Sequence, residues 1–247
     1  MKNLIFCLTF FFCAGPVAAQ TLTGQEMLQK IDVNMAVEQA VSMSTMIVHG
    51  RTGSRTITSQ SWMKGRDRAF VEYLSPAREQ GKKMLKLEDK IWTYTPEPTD
   101  RIITISGHLL RQSVMGSDLS YEDATENDYL AEMYDAEVVA EDEMNGQHCY
   151  VLQLTAKEQD ISYYSRKLWV DSDHWLPLKE ERYAKSGKLL KTAEILEFFQ
   201  AADRWYPKKM IFKDALSSGK GTEYLIDSID FDVEIPEHLL TKAALRK

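Results

Sequence analysis

Two periodicities divide the chain. From Thr23 to Met35 the apolar residues Met27, Leu28, Ile31 and Met35 recur at helical spacing. Thr23-Gly24-Gln25-Glu26 is a capping box, in which hydroxyl and carboxylate satisfy free N–H groups of the first turn. One amphipathic helix over 23–35 is predicted. Beyond it the apolar period shortens to two, in short runs rich in β-branched and aromatic residues. These runs predict strands over 40–49, 55–64, 67–75, 82–87, 90–95, 101–106, 136–142, 147–156, 165–171, 177–185, 188–198, 204–214 and 221–232. Turn chemistry separates them at Arg51-Thr52-Gly53-Ser54, Gly65-Arg66, Glu88-Asp89, Asn145-Gly146, Ser186-Gly187 and Ser218-Gly219. Asn-Gly suits both positive-φ positions of a type I′ turn, so 136–156 is the best-marked hairpin. Pairing of neighbours along such a series gives an antiparallel meander, and the fold class is mainly β (α+β).

The strand rhythm stops between Gly107 and Tyr134. A connector that long in a compact domain is usually functional or conceals a short helix. Leu109, Leu110, Val114, Met115, Leu119 and Tyr121 form an apolar cluster within it, which predicts a lid packed over a cavity. Large side chains at alternating strand positions need a cover of their own, and Trp62, Tyr73, Trp92 and Tyr94 are the expected cavity wall. All the methionines but Met1 lie beyond the first twenty residues. Their unbranched thioethers fill irregular cores and adapt to varied apolar partners.

The first twenty residues follow another pattern. Lys2 precedes an apolar stretch from Leu4 to Ala14, followed by Gly15-Pro16 and the small residues Val17-Ala18-Ala19. This is the layout of a secretory signal peptide cleaved after Ala19, and the stretch is shorter than the roughly 20 apolar residues that span a bilayer. Phe6 and Phe12 precede Cys7 and Cys13, where lipid attachment would need small residues. The expected mature protein is therefore residues 20–247, one domain free in the periplasm. Cleavage removes Lys2, Cys7 and Cys13, leaving Cys149 without a disulfide partner and the charge one unit more negative than the −7 of the full sequence. Cys149 in a strand is expected to be a buried small hydrophobe. The acidic balance argues against nucleic acid and against a broad electrostatic hold on anionic membranes.

Catalytic chemistry has no convincing carrier. Ser61-Trp62-Met63-Lys64 matches a bare Ser-x-x-Lys pattern, but in a strand an offset of three puts the two side chains on opposite faces. His148 and Cys149 point apart for the same reason, and His49, His108, His174 and His238 lack ligand spacing. Asp171-Ser172-Asp173-His174 reads as a polar turn. No phosphate loop, nucleophile elbow or metalloprotease helix is present in the sequence, so neither an enzyme nor a cofactor is expected.

The order of features resembles the LolA-like outer-membrane lipoprotein-sorting family, in the superfamily that includes LolB and the regulator RseB. The resemblance rests on the capped helix, on the stretch from Phe70 to Gly81, on Ile91-Trp92-Thr93-Tyr94-Thr95-Pro96 and on the connector from Arg111 to Tyr121. Lys167-Leu168-Trp169-Val170-Asp171, Leu176-Pro177-Leu178-Lys179 and Trp205-Tyr206-Pro207-Lys208-Lys209-Met210 extend it over the mature chain. It implies a strongly curved, incompletely closed antiparallel half-barrel wrapped around the N-terminal helix and a helical lid. It also implies a carrier that takes the acyl chain of a lipoprotein or free lipid from an inner-membrane transporter to an outer-membrane acceptor. The RseB resemblance offers an alternative, an envelope lipid or lipoprotein sensor that regulates a membrane partner. A lipid-acting enzyme would need a polar group beside the cargo, and the sequence presents none.

Overall fold

The structure, a computed structural model, describes residues 22–50, 52–126, 129–201 and 204–247. The proposed signal peptide lies outside these residues. The predicted helix forms as α1 (Gly24–Met35), and the Thr23 and Glu26 side chains close the capping box. Among the described residues thirteen strands form one antiparallel sheet.

The first six are β1 (Gln39–Gly50), β2 (Gly53–Lys64), β3 (Arg68–Ser75), β4 (Lys83–Leu87), β5 (Lys90–Thr95) and β6 (Arg101–Ile105). After the connector come β7 (Tyr134–Met144), β8 (Gln147–Ala156), β9 (Ser165–Asp171), β10 (Pro177–Tyr183), β11 (Leu189–Ala201), β12 (Arg204–Asp214) and β13 (Thr222–Asp230). Every predicted strand is present, and the Asn145-Gly146 hairpin has its expected register, with Met144 opposite Gln147. Asn145 and Gly146 both take positive φ, as the two-residue turn requires.

The strand order is β6-β5-β4-β3-β2-β1-β13-β12-β11-β10-β9-β8-β7. The chain runs outward from β1 to one edge, crosses by the connector to the other edge, and runs back inward to β13. The sheet is not closed into a barrel, since no ladder joins β6 to β7. The connector is the covalent link between those edges. It holds a 3-10 turn at Gly107–Arg111 and the short helices α2 (Tyr121–Thr125) and α3 (Leu130–Met133).

Strand alternation gives each face its own cover. On the inner face, α1 packs Met27, Leu28 and Ile31 against Tyr134, Leu152, Leu154, Leu168 and Val170. The helix approaches β7 closely: a Cβ on Gly24 would stand 2.5 Å from the Ala136 carbonyl oxygen. The connector covers the rest of that face, with Val114 and Leu119 buried against Met46, Val48, Ile57 and Tyr73. On the outer face a ladder of paired positions runs Val41, Trp62, Phe70, Leu85, Trp92. Its cover is the segment after β13, which buries Ile235, Leu240, Ala244 and Leu245 against Phe70 and Leu85.

Candidate functional site

The connector segment expected to act as a lid is built from one tight turn and one capped helix. Val114 N donates to the Leu119 carbonyl at 2.8 Å, and Met115 and Gly116 both take positive φ to turn the chain between them. Ser120 then caps α2: its hydroxyl accepts from Asp123 N, and the Asp123 carboxylate accepts from Ser120 N at 2.7 Å and Ser120 Oγ at 2.6 Å. Val114 and Leu119 are buried, while Met115 and Tyr121 pack partly buried against the same cluster. Leu109, Leu110 and Tyr121 lie against a second patch of Met84, Ile91 and Ile105. All five predicted lid residues, Leu109, Leu110, Met115, Leu119 and Tyr121, thus contact apolar side chains of the inner face.

The four predicted wall residues do not share a face. Tyr73 is buried beneath the lid, where burial first and the neighbouring Tyr121 second push its hydroxyl above the ordinary tyrosine range. Trp62, Trp92 and Tyr94 have the opposite parity and pack under the segment after β13. The physical reason is that this sheet is apolar on both sides, so a large apolar side chain does not by itself say on which face it lies.

What the sequence reading overlooked is a buried ionic cluster joining lid to sheet. Arg166 in β9 and Arg182 in β10 project inward at positions two or four removed from core residues and are 2% and 9% exposed. Asp123 of the lid accepts from Arg182 Nη1 at 3.0 Å, Lys191 Nζ at 2.7 Å and Tyr163 Oη at 2.6 Å. Glu126, just beyond α2, pairs with Arg166 and, at 2.9 Å, with Arg182. Glu180 bridges the two guanidinium groups at 2.9 Å each, and Arg166 Nε donates to the Tyr134 hydroxyl at 2.9 Å. Burial works to raise the Asp123 carboxyl, but the charges of Arg182 and Lys191 outweigh it and hold it down at about 2. Burial likewise opposes ionisation of Glu126, and Arg166 and Arg182 again prevail, so its carboxyl is lowered.

Backbone carbonyls of the lid engage further sheet cations. Arg55 donates to the Met115 carbonyl, Lys86 to Thr125 at 2.9 Å and Lys191 to Asp118 at 2.6 Å. Asp118 also receives Thr222 Oγ1 at 2.7 Å and Asp214 N at 3.0 Å. Beside these ion pairs a cleft of about 290 Å³ opens, lined by apolar Ile91, Leu110 and Met133 and by charged Lys86, Glu122, Glu126 and Arg166 among others.

Other candidate groups have local structural roles. Asp171 accepts from Asp173 N, His174 N and, at 2.7 Å, the His174 ring, which makes it the organiser of a polar turn. Cys149 is buried, and burial pushes its thiol up to about 11. Among the described residues no group of three or more His, Cys, Asp or Glu side chains is arranged to hold a metal ion. No helix of the described residues is long and apolar enough to cross a membrane.

The family described as "-like: Uncharacterized protein" is matched over residues 65–247. A putative outer membrane lipoprotein-sorting protein domain from Vibrio parahaemolyticus is 24% identical, covering 91% of this chain and 98% of its own, with a TM-score of 0.80. A DUF1329 family protein from Desulfovibrio piger is 24% identical over 90% of this chain and 98% of its own, with a TM-score of 0.83. The chain belongs to the family whose model matches residues 65–247, and its fold is LolA-like. A LolA superfamily protein from Nitrosomonas europaea, 22% identical over 91% of this chain and all of its own, gives a TM-score of 0.74. No curated protein matches the chain in sequence.

Proposed function

We propose that this protein is a periplasmic carrier and not an enzyme. It binds the acyl chain of a lipoprotein or free lipid on the inner face of the sheet, beneath the segment from Leu109 to Glu126. In this reading residues 1–19 are removed on export and residues 20–247 form a single binding domain. An inner-membrane transporter supplies the cargo and an outer-membrane acceptor receives it. The observation that carries the reading is the lid itself, an acidic segment with an apolar underside, held across the open side of the sheet by Arg55, Lys86, Arg166, Arg182 and Lys191.

The apolar contacts of the lid, taken apart from its ion pairs, are compatible with exchange. Val114 and Leu119 are the buried apolar side chains of the lid, and burial of two such groups contributes about 3–6 kcal/mol. Each acyl methylene contributes about 0.8 kcal/mol, so roughly eight methylenes offset the loss of those contacts. A longer chain favours the open state, and release then follows from re-closure, because a ligand shifts such an equilibrium only by its differential affinity for the two states.

Native mass spectrometry with lipid extraction, on protein purified from a periplasm without detergent, tests the reading. An acylated species bound one to one is expected, and Leu110→Asp and Met115→Asp are expected to reduce its occupancy. A protein that remains empty when offered acyl chains, with both variants behaving like the parent, would overturn it.

A further inference from the structure

The ion pairs between the lid and the sheet balance in charge. The sheet contributes Arg166, Arg182 and Lys191, three positive groups, against Glu180, one negative group, which leaves two positive charges on the inner face. Asp123 and Glu126 supply the two balancing charges, and both belong to the lid. If the lid lifts, it takes both carboxylates with it and leaves two cations of the inner face without counter-charge, and an apolar cargo that then covers them buries them unpaired. Unpaired buried charge is strongly disfavoured, so a purely apolar cargo would have to open the lid against this imbalance.

On the reading of the lid as a cargo cover, we infer that the cargo is an acyl compound with an anionic headgroup, a carboxylate or phosphate, which replaces Asp123 and Glu126 on Arg166, Arg182 and Lys191. The cleft beside these ion pairs has the shape this requires. Its lining includes Arg166, 2% exposed, and Lys86, together with the apolar side chains of Ile91, Leu110, Met133 and Ile161, and Arg166 joins it to Arg182 through Glu180. The planar fork of a guanidinium suits bidentate binding of either headgroup, and such charge-assisted bonds are the strong ones. Glu122 also lines the cleft, half-buried, but it belongs to the lid and lifts with it, and Asp67, Glu88 and Asp89, which line it too, are exposed and solvated. Salt and water screen them far more than they screen the buried cations. Headgroup selection therefore falls to Arg166, Arg182 and Lys191.

The test compares oleate with oleyl alcohol, which share one chain and differ in headgroup charge, by equilibrium binding to the purified protein. The expected result is a preference for oleate of about tenfold or more. Asp123→Asn with Glu126→Gln removes the lid's competing charges and should enlarge that preference. Arg166→Gln with Arg182→Gln should abolish it. Should the arginine pair fail to fold, the lid pair alone decides, because a merely structural role would change affinity for both probes alike and leave their ratio unmoved. Equal binding of the two probes overturns the headgroup assignment while leaving the carrier standing. Binding of neither overturns the carrier as well. Inorganic phosphate bound as tightly as oleate would assign the cations to a free anion and overturn the lipid assignment.

Discussion

At the scale of residues, the informative positions are charged groups standing where the alternation calls for apolar ones. In β9 the inward series is Arg166, Leu168, Val170, and two of these three are core residues. Arg166 was therefore legible in principle: an arginine in phase with a buried stripe needs a partner inside. Its partners were not legible, because Glu126 and Glu180 come from a connector and from another strand, and only the assembled sheet brings them within reach. Asp123 makes the contact between lid and sheet sensitive to acid. Its carboxyl lies near 2 in the folded protein, below its ordinary value of 3.8. A lowered carboxyl stabilises the fold fully above the higher value and loses that contribution as pH falls through the lower one. The difference corresponds to about 2 kcal/mol. Urea unfolding of the parent and of Asp123→Asn should accordingly show a stability gap of that order at pH 5, narrowing below about pH 4 and closing near pH 2. A gap independent of pH would rule out the ionised contact.

At the scale of elements, sequence and structure agree closely for strands and less closely for the connector. Each strand carries its own alternation and is bounded by turn residues, so local signals suffice. Asn145-Gly146 fixed one register outright. The pieces of the connector are short, α2 and α3 being five and four residues long, too brief to display a helical period. Trp62, Trp92 and Tyr94 lie on the face opposite Tyr73, and nothing in a strand's own sequence says which of two apolar sides a later segment will cover. The close approach of α1 to β7 gives a test of element packing. In Gly24→Ala the new methyl would meet Ala136 O at 2.5 Å, Ala136 C at 2.7 Å and Glu137 Cα at 2.9 Å, all of them backbone. Since backbone yields less readily than a side chain, the helix must move away from Tyr134 and Leu152. Thermal or urea denaturation should register a loss of about 1–3 kcal/mol; an unchanged midpoint would mean that the helix sits less tightly than described.

At the scale of the whole molecule, one sheet is clad on both sides by chain from outside it, α1 and the lid within and residues 235–246 without. Removal of residues 235–247 should uncover Phe70 and Leu85 together with Trp62 and Trp92. Tryptophan emission shifted to the red, with binding of a hydrophobic dye and a tendency to aggregate, is the expected result; native-like emission and a monomeric protein would argue that the outer belt is dispensable. The strand order has a further consequence, for time. The middle of the sheet is the pairing of β1 with β13, where the Tyr224 hydroxyl reaches Ser44 Oγ at 2.9 Å across 180 residues of sequence. Strands β1 to β6 can meet as soon as they exist, but β1 keeps a bare edge until the chain has been delivered as far as residue 230. Contacts this distant in sequence form slowly. The protein thus becomes whole late and from its centre, and until then its two meanders are separate sheets, each exposing the strand by which the other must recognise it.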